Sequence, residues 1–302
     1  MSENYSMDHL RLLEAESIHI FREVAAESTK PVLLYSIGKD SSVLLKLAEK
    51  AFAPRKIPFP LLHIDTGYKF PEMIEFRDYY TKKLGVNLIV HKNESEDAKR
   101  FGPEHAHTEE YIYHKKTKAL LDAIAKYGFD TAIGGARREE EKSRAKERIF
   151  SVRGEGSVWD PKNQRPELWH AYNTLLAPGQ SMRVFPLSNW TEADIWEYIK
   201  QEQIEIVPLY FSKKRKVVKR HGILVRVDDY TQPKEGEEVM DMFCRYRTLG
   251  CAPSTGAVPS TATTFDEIIY EVITARKSER ENRAIDKNSD SGMEQKKKEG
   301  YF

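Results

Sequence analysis

The run Val32-Leu33-Leu34-Tyr35-Ser36-Ile37-Gly38-Lys39-Asp40-Ser41-Ser42-Val43 constrains the fold of this chain more than any other stretch. Val32 to Tyr35 is short and apolar throughout, as expected of a parallel strand covered on both faces. Small and polar residues follow, and then Val43, Leu44, Leu47 and Ala48 recur at helical spacing. A strand, a small-residue turn and a helix N-terminus in that order make an anion site. The first-turn N–H groups have no partner within the helix, and the helix dipole favours negative charge. Gly38 admits an anion close to the backbone, Lys39 adds a point charge, and Ser36, Ser41 and Ser42 add hydroxyl donors. The loop is not the G-x-x-x-x-G-K-[ST] of ATPases and GTPases. Leu33 stands where the first glycine of that motif belongs, and Asp40 follows the lysine.

The same alternation continues downstream. Residues 8–27 read as an amphipathic helix through Leu10, Leu13, Ile18, Phe21 and Val24. Strands are predicted at 32–36, 61–65, 87–90 and 129–135, and helices at 39–52, 71–84 and 116–127. Residues 94–115, with His105, His107 and His114, read as a long polar surface excursion. Strands alternating with helices predict an α/β fold: a doubly wound, mostly parallel sheet with helices on both faces, followed by a C-terminal extension. The expected division is 1–212 for the nucleotide-binding part and 213–302 for the extension, whose last residues, from Arg276, form a polar tail ending in Tyr301 and Phe302.

Ligands of such sheets bind beyond the carboxyl ends of the strands. Three predicted ends carry suitable residues: Ser36 to Ser42, Asp65 to Gly67, and Gly134 to Arg138. Asp65 is open to three duties: capping the next segment, binding magnesium, or accepting a ribose hydroxyl. From Gly134 and Gly135 the chain runs through Arg137, Arg138, Lys142 and Arg144 to Arg148 almost without large apolar residues. As a helix, 137, 141, 144 and 148 would share one face. A solvated, salt-bridged helix explains such charge, and so does an oxyanion site, because the guanidinium fork suits tetrahedral oxyanions. Arg245 and Arg247, in a second glycine-containing loop, are further oxyanion candidates. Thr191 and Asp194 resemble a capping box opening a helix whose Trp196 and Ile199 belong to the core, with Trp190 just before it.

The chain has 302 residues and a formal net charge of +1, so no global field draws it to nucleic acid or a membrane. No apolar run suits a membrane span, and the residues before Pro31 hold no signal-peptide core, which predicts a cytoplasmic protein. Cys244 and Cys251 are too few and wrongly spaced for a zinc or iron–sulfur site; buried thiols are the expectation, and no metal site is predicted.

Residues 36–41 resemble the pyrophosphate-binding S-G-G-K-D-S loop of the ATP pyrophosphatase-like superfamily, with Ile37 in place of the first glycine. With Phe59 to Gly67, Gly134 to Arg148, Trp159 to Trp169, Val184 to Glu192, Arg247 to Cys251 and the terminal Gly-Tyr-Phe, nearly the whole chain resembles the small-subunit family of bacterial ATP sulfurylases, in the PAPS reductase superfamily. The resemblance implies an adenine nucleotide alpha hydrolase-like fold. It also implies a nucleotidyltransferase that makes adenosine 5′-phosphosulfate and pyrophosphate from ATP and sulfate, the first step of sulfate assimilation. Magnesium would arrive with ATP, and no prosthetic group is implied. The uphill reaction would be coupled to GTP hydrolysis in a separate large subunit, since this chain lacks a GTP-binding motif.

In this reading Lys39, Arg137 and Arg138 serve the chemistry. Ser36, Gly38, Lys39, Asp40, Ser41, Ser42, His63, Asp65, Gly134 and Gly135 hold ATP and its pyrophosphate. Arg137, Arg138, Lys142, Arg144, Arg245 and Arg247 are the candidates for sulfate. Two rivals are a phosphosulfate reductase, which needs a C-terminal Glu-Cys-Gly that is missing after Cys251, and a non-catalytic nucleotide-binding subunit, which would not need the Lys39-Asp40-Ser41 loop.

Overall fold

The computed structural model describes residues 8–275, without the side chains of 142 and 143. The tail from Arg276, with Tyr301 and Phe302, lies outside the described residues.

Helix α1 (His9–Glu27) leads into β1 (Pro31–Leu34), α2 (Lys39–Phe52), β2 (Leu61–Ile64), α3 (Pro71–Leu84) and β3 (Leu88–His91). Two short helices, α4 (Glu96–Lys99) and α5 (Glu109–Ile112), precede a π turn, α6 (Lys118–Tyr127) and β4 (Thr131–Ile133). Then come β5 (Phe150–Arg153), β6 (Ser181–Val184) and α7 (Glu192–Gln201). The six strands lie in the order β3-β2-β1-β4-β6-β5, parallel except for β5, which runs antiparallel to β6. Alternate residues of β1 face opposite layers. Leu33 and Tyr35 join the large core with Leu44, Leu47 and Trp196, while Val32 and Leu34 pack with Leu120, Ala123 and Ile124 of α6. The sheet is thus covered on both faces, as its continuous apolar strands require.

The chain order reverses between β1 and β4. The segment after β1 crosses to β2 on one side, and β4 returns on the other. This switch point opens a crevice at the carboxyl ends of both strands.

Two sequence expectations are corrected, and one sheet was not foreseen. Residues 94–115 are folded rather than a loose excursion: Ala106, Tyr111 and Ile112 form a buried cluster with Cys251, and Asn93 donates to the His114 carbonyl at 2.8 Å. Residues 137–148 are not an α-helix but two 3-10 turns, 138–140 and 142–146, since each charge finds a different partner. The lysine-rich stretch after 212 holds β7 (Lys213–Arg220) and β8 (Ile223–Arg226), which with β9 (Met240–Arg245) and β10 (Val258–Pro259) make an antiparallel sheet ordered β10-β9-β7-β8. Only Val217 and Val218 of β7 are buried, which is why its charge hid the strand. Helix α8 (Phe265–Thr274) then packs on α7.

Candidate active site

A cleft of about 300 Å³ lies at the switch point. Its floor is the loop between β1 and α2, with Ser36, Gly38, Asp40 and Ser41; Gly134, Gly135 and Ala136 face it from the end of β4. Leu34, Leu62, Ile64 and Leu120 form an apolar wall on the α6 side. Ile37 holds φ 68°, the left-handed region where a β-branched residue is strained. The superfamily motif places glycine there, and full burial in the core holds the isoleucine in place. Gly135 approaches α2 so closely that a Cβ would lie 3.2 Å from Asp40 Cβ, so any larger residue would push the two cleft walls apart.

The loop's own polar groups are partly spent. Ser41 and Ser42 hydroxyls donate to the Gly38 carbonyl at 2.9 and 3.1 Å, and Ser36 donates to Ser41 Oγ at 3.2 Å. The Lys39 N–H donates to Tyr210 Oη at 2.7 Å. The tyrosine ring is buried edge-on against Trp196.

Beneath the loop runs a closed circuit of charges. The Lys39 ammonium, 1% exposed, donates to Asp40 Oδ2 at 3.3 Å and the Arg247 carbonyl at 3.4 Å. Asp40 Oδ1 accepts from Arg137 Nε at 2.8 Å, and Arg137 Nη1 donates to Glu139 Oε2 at 3.0 Å. Glu139 also accepts the Glu192 N–H at the start of α7, at 2.6 Å, and Glu192 Oε2 accepts from Arg247 Nη2 at 2.6 Å. The circuit ties α2, the β4 loop, α7 and the 247 loop together.

The arginines sort themselves by position. Arg137, 1% exposed, belongs to the circuit and does not line the cleft. Arg138 donates to Asn189 at the surface. Arg245, on β9, is held by Glu271 of α8 at 2.7 Å, and Arg247 by Glu192. The side chain of Lys142 is not among those described. Among the five sulfate candidates whose side chains are described, Arg144 lines the cleft and the other four do not. It is buried, its Nε and Nη1 make no hydrogen bond, and its nearest carboxylates, Glu140, Glu141 and Glu147, stand 3.5–4.0 Å away. Glu140 already accepts the Arg137 N–H at 3.0 Å, and Glu147 accepts from Arg153.

Asp65 turns out to cap its own turn, accepting the Gly67 N–H at 2.7 Å. His63 lines the cleft, 1% exposed. Burial, with Lys69 and Arg77 nearby, lowers its pKa from 6.5 to about 4, although its bond to the Tyr35 carbonyl works the other way. Unfolding therefore takes up a proton at this residue between pH 6.5 and 4, so its contribution is full above pH 6.5 and is lost as pH falls towards 4. Stability should drop by up to ~1.4 kcal/mol per pH unit in that window. Urea unfolding across pH 4–7 should show this slope reduced in His63→Asn; an unchanged difference from wild type would mean that His63 does not carry it.

The profile of the phosphoadenosine phosphosulfate reductase domain family matches residues 30–257. Sulfate adenylyltransferase subunit 2 of Rhodopseudomonas palustris (strain BisA53) is 62% identical over 295 residues, 97% of this chain and 90% of that protein. The subunit 2 of Saccharophagus degradans is 58% identical over 303 residues, covering 100% of both. The chain belongs to the sulfate adenylyltransferase subunit 2 family. Among solved structures, phosphoadenylyl-sulfate reductase from Candida auris overlies 69% of this chain and 93% of its own, at 17% identity and a TM-score of 0.47.

The cleft also has lining residues that the sequence analysis did not single out. Lys69, Lys116, Tyr210 and Thr248 to Gly250 all line the cleft. Lys69 follows the β2 turn closely enough that its charge could have been read as a strand-end cation. Tyr210 left no signal, since its position depends on the second sheet. Lys116 and Lys69 also act on Cys251: burial raises the thiol pKa, but their charges, with Thr66 and Tyr111 hydroxyls, leave it below the ordinary value. Both cysteines are free and buried. No helix among the described residues is long and apolar enough to cross a membrane, and no group of three or more His, Cys, Asp or Glu among them could hold a metal.

Proposed function

We propose that this chain transfers the adenylyl group of ATP to sulfate, releasing adenosine 5′-phosphosulfate and pyrophosphate. The observation that carries the reading is a phosphate-type loop facing, across one cleft, an arginine with uncommitted hydrogen-bond donors. The adenine fits the wall of Leu34, Leu62, Ile64 and Leu120. The β and γ phosphates, with their magnesium as part of the substrate, belong over Ser36 to Ser42 at the N-terminus of α2. Sulfate approaches from the Arg144 side and attacks the α-phosphorus opposite the leaving pyrophosphate.

Sulfate is a dianion at neutral pH and needs no general base. It is a weak nucleophile repelled by the triphosphate, so the site must supply positioning and positive charge. Arg144, Lys69 and Lys116 supply the charge at the cleft wall. Lys39 and Arg137 act from below, holding the loop and the β4 turn in register through Asp40. A reductase reading needs a reachable thiol, and both Cys244 and Cys251 are buried.

The product anhydride is richer in free energy than the substrates, so net synthesis needs a drive. We propose that the partner subunit is a GTPase. The test is sulfate-dependent exchange of labelled pyrophosphate into ATP by the full chain, alone and with its partner and GTP. Exchange that requires sulfate, and that rises with partner and GTP, is the expected result. Exchange independent of sulfate would overturn the reading, and full GTP-independent synthesis by the chain alone would remove the coupling.

A further inference from the structure

We infer that the Tyr210 hydroxyl is a phosphate contact supplied to the loop between β1 and α2 from outside it, donating a hydrogen bond to the pyrophosphate end of ATP. The inference deepens the proposed adenylyl transfer and rests on it for the placing of the phosphates. The loop's own side chains are engaged with the loop itself. Ser41 and Ser42 hydroxyls donate to the Gly38 carbonyl at 2.9 and 3.1 Å, and Ser36 donates to Ser41 Oγ at 3.2 Å. The Lys39 ammonium is engaged by Asp40 and the Arg247 carbonyl. Tyr210 Oη sits on the loop's backbone instead. It accepts the Lys39 N–H at 2.7 Å, and it lies 3.5 Å from where a Cβ on Gly38 would stand. Gly38, Asp40, Ser41 and Tyr210 all line the cleft.

The position of that oxygen carries the inference. The Lys39 N–H is the first of helix α2, and the N–H groups of a helix's first turn converge on one anion. Tyr210 Oη occupies the place of one anion oxygen, beside the N–H groups of Asp40 and Ser41 that follow. A phosphate seated on those two puts an oxygen next to Oη. The hydroxyl hydrogen turns about the C–O bond to suit its surroundings. Accepting the Lys39 N–H polarises the O–H and makes it a stronger donor. The tyrosine does not step aside for the phosphate. It is 1% exposed, and its ring packs edge-on against Trp196 with centroids 5.3 Å apart. Its N–H donates to the Val207 carbonyl at 3.3 Å, and the adjacent Leu209 carbonyl accepts the Tyr246 N–H at 3.1 Å. A tyrosine fixed in this way supplements the loop rather than blocking it. Its donor meets the negative charge that collects on the leaving pyrophosphate.

The experiment measures binding of ATP, inorganic pyrophosphate and AMP, each with magnesium present, to the full chain as wild type and Tyr210→Phe. Phenylalanine keeps the ring against Trp196 and removes only the hydroxyl, so the fold is not at stake. The variant should bind ATP and pyrophosphate about tenfold more weakly, as loss of a hydrogen bond to a charged group predicts. AMP, which lacks the β and γ phosphates, should bind within twofold of wild type. Pyrophosphate binding within twofold of wild type overturns the inference, and tighter binding overturns it in favour of a tyrosine that blocks the loop. An equal loss for AMP overturns it too, because a distorted cleft and not a lost phosphate contact would then be the cause. So does a wild type that binds AMP but no pyrophosphate. Sulfate-dependent pyrophosphate exchange is read on the same wild-type preparation. Its absence overturns the proposed reaction, while a selective loss of pyrophosphate in Tyr210→Phe still stands for the tyrosine. Exchange in wild type with unaltered pyrophosphate binding in the variant overturns only the role of Tyr210.

Discussion

Asp40→Asn is expected to cost about 3–5 kcal/mol of unfolding free energy. Asp40 is the shared carboxylate of two cations, Lys39 and Arg137, whose side chains are 1% and 0% exposed. An asparagine of equal size removes the negative charge that the two buried cations share, leaving Arg137 with Glu139 at 3.0 Å and Glu140 at 3.9 Å. The converse change should be milder. Arg137→Met removes the buried charge and fills its volume, and the carboxylates it abandons reach water, Asp40 being 24% and Glu139 52% exposed at the side chain. Urea denaturation of the three proteins measures the difference. Equal losses in both variants would mean that the circuit contributes packing rather than charge pairing. Both variants should also lose turnover, because the circuit sets the spacing between the phosphate loop and the β4 turn.

Arg144→Gln is expected to raise the KM for sulfate roughly ten- to hundredfold. A charge-assisted hydrogen bond contributes about 1.5–3 kcal/mol, and tenfold corresponds to about 1.4 kcal/mol. ATP binding should change little, because the phosphate loop and apolar wall are untouched. Arg144→Lys should rescue poorly, since an ammonium lacks the planar fork. Steady-state kinetics with sulfate varied at saturating ATP decides it. An unchanged sulfate KM in Arg144→Gln, with a large rise in Lys69→Gln or Lys116→Gln, would move the oxyanion to that lysine. Arg138→Ala and Arg245→Ala serve as contrasts. Arg138 bonds Asn189 at the surface, and Arg245 fastens β9 to α8, so neither should alter sulfate KM.

The parallel sheet and the phosphate loop were legible because their signals are local. Val32 to Tyr35 is apolar on both strand faces, Gly38 to Ser42 is the small-residue start of a helix, and Leu44, Leu47 and Ala48 keep the helical period. Burial on both faces leaves no other use for such a strand. The Thr191–Asp194 capping box and the core places of Trp190, Trp196 and Ile199 were legible for the same reason. The second sheet was not, because β7 turns lysines and arginines outward and buries only two valines. Residues 94–115 hid likewise, since their few buried side chains pack on Cys251, more than a hundred residues away in sequence.

By itself the sequence determined that this chain would present a phosphate loop at the end of a parallel strand, with a reservoir of arginines near it. It could not apportion those arginines, because an ion pair depends on distance in space and not on spacing along the chain. Folding brings Asp40 against Arg137, Glu192 against Arg247 and Glu271 against Arg245, and each carboxylate withdraws one arginine from the cleft. Arg144 stays at the wall, within 3.5–4.0 Å of Glu140, Glu141 and Glu147 but with Nε and Nη1 making no hydrogen bond. The tautomer of His63 is a tertiary fact of the same kind, fixed by the Tyr35 carbonyl of the neighbouring strand. Local pattern specified the elements. Long-range pairing, which acts only once the chain has closed, decided which charged and polar groups remain available to a ligand.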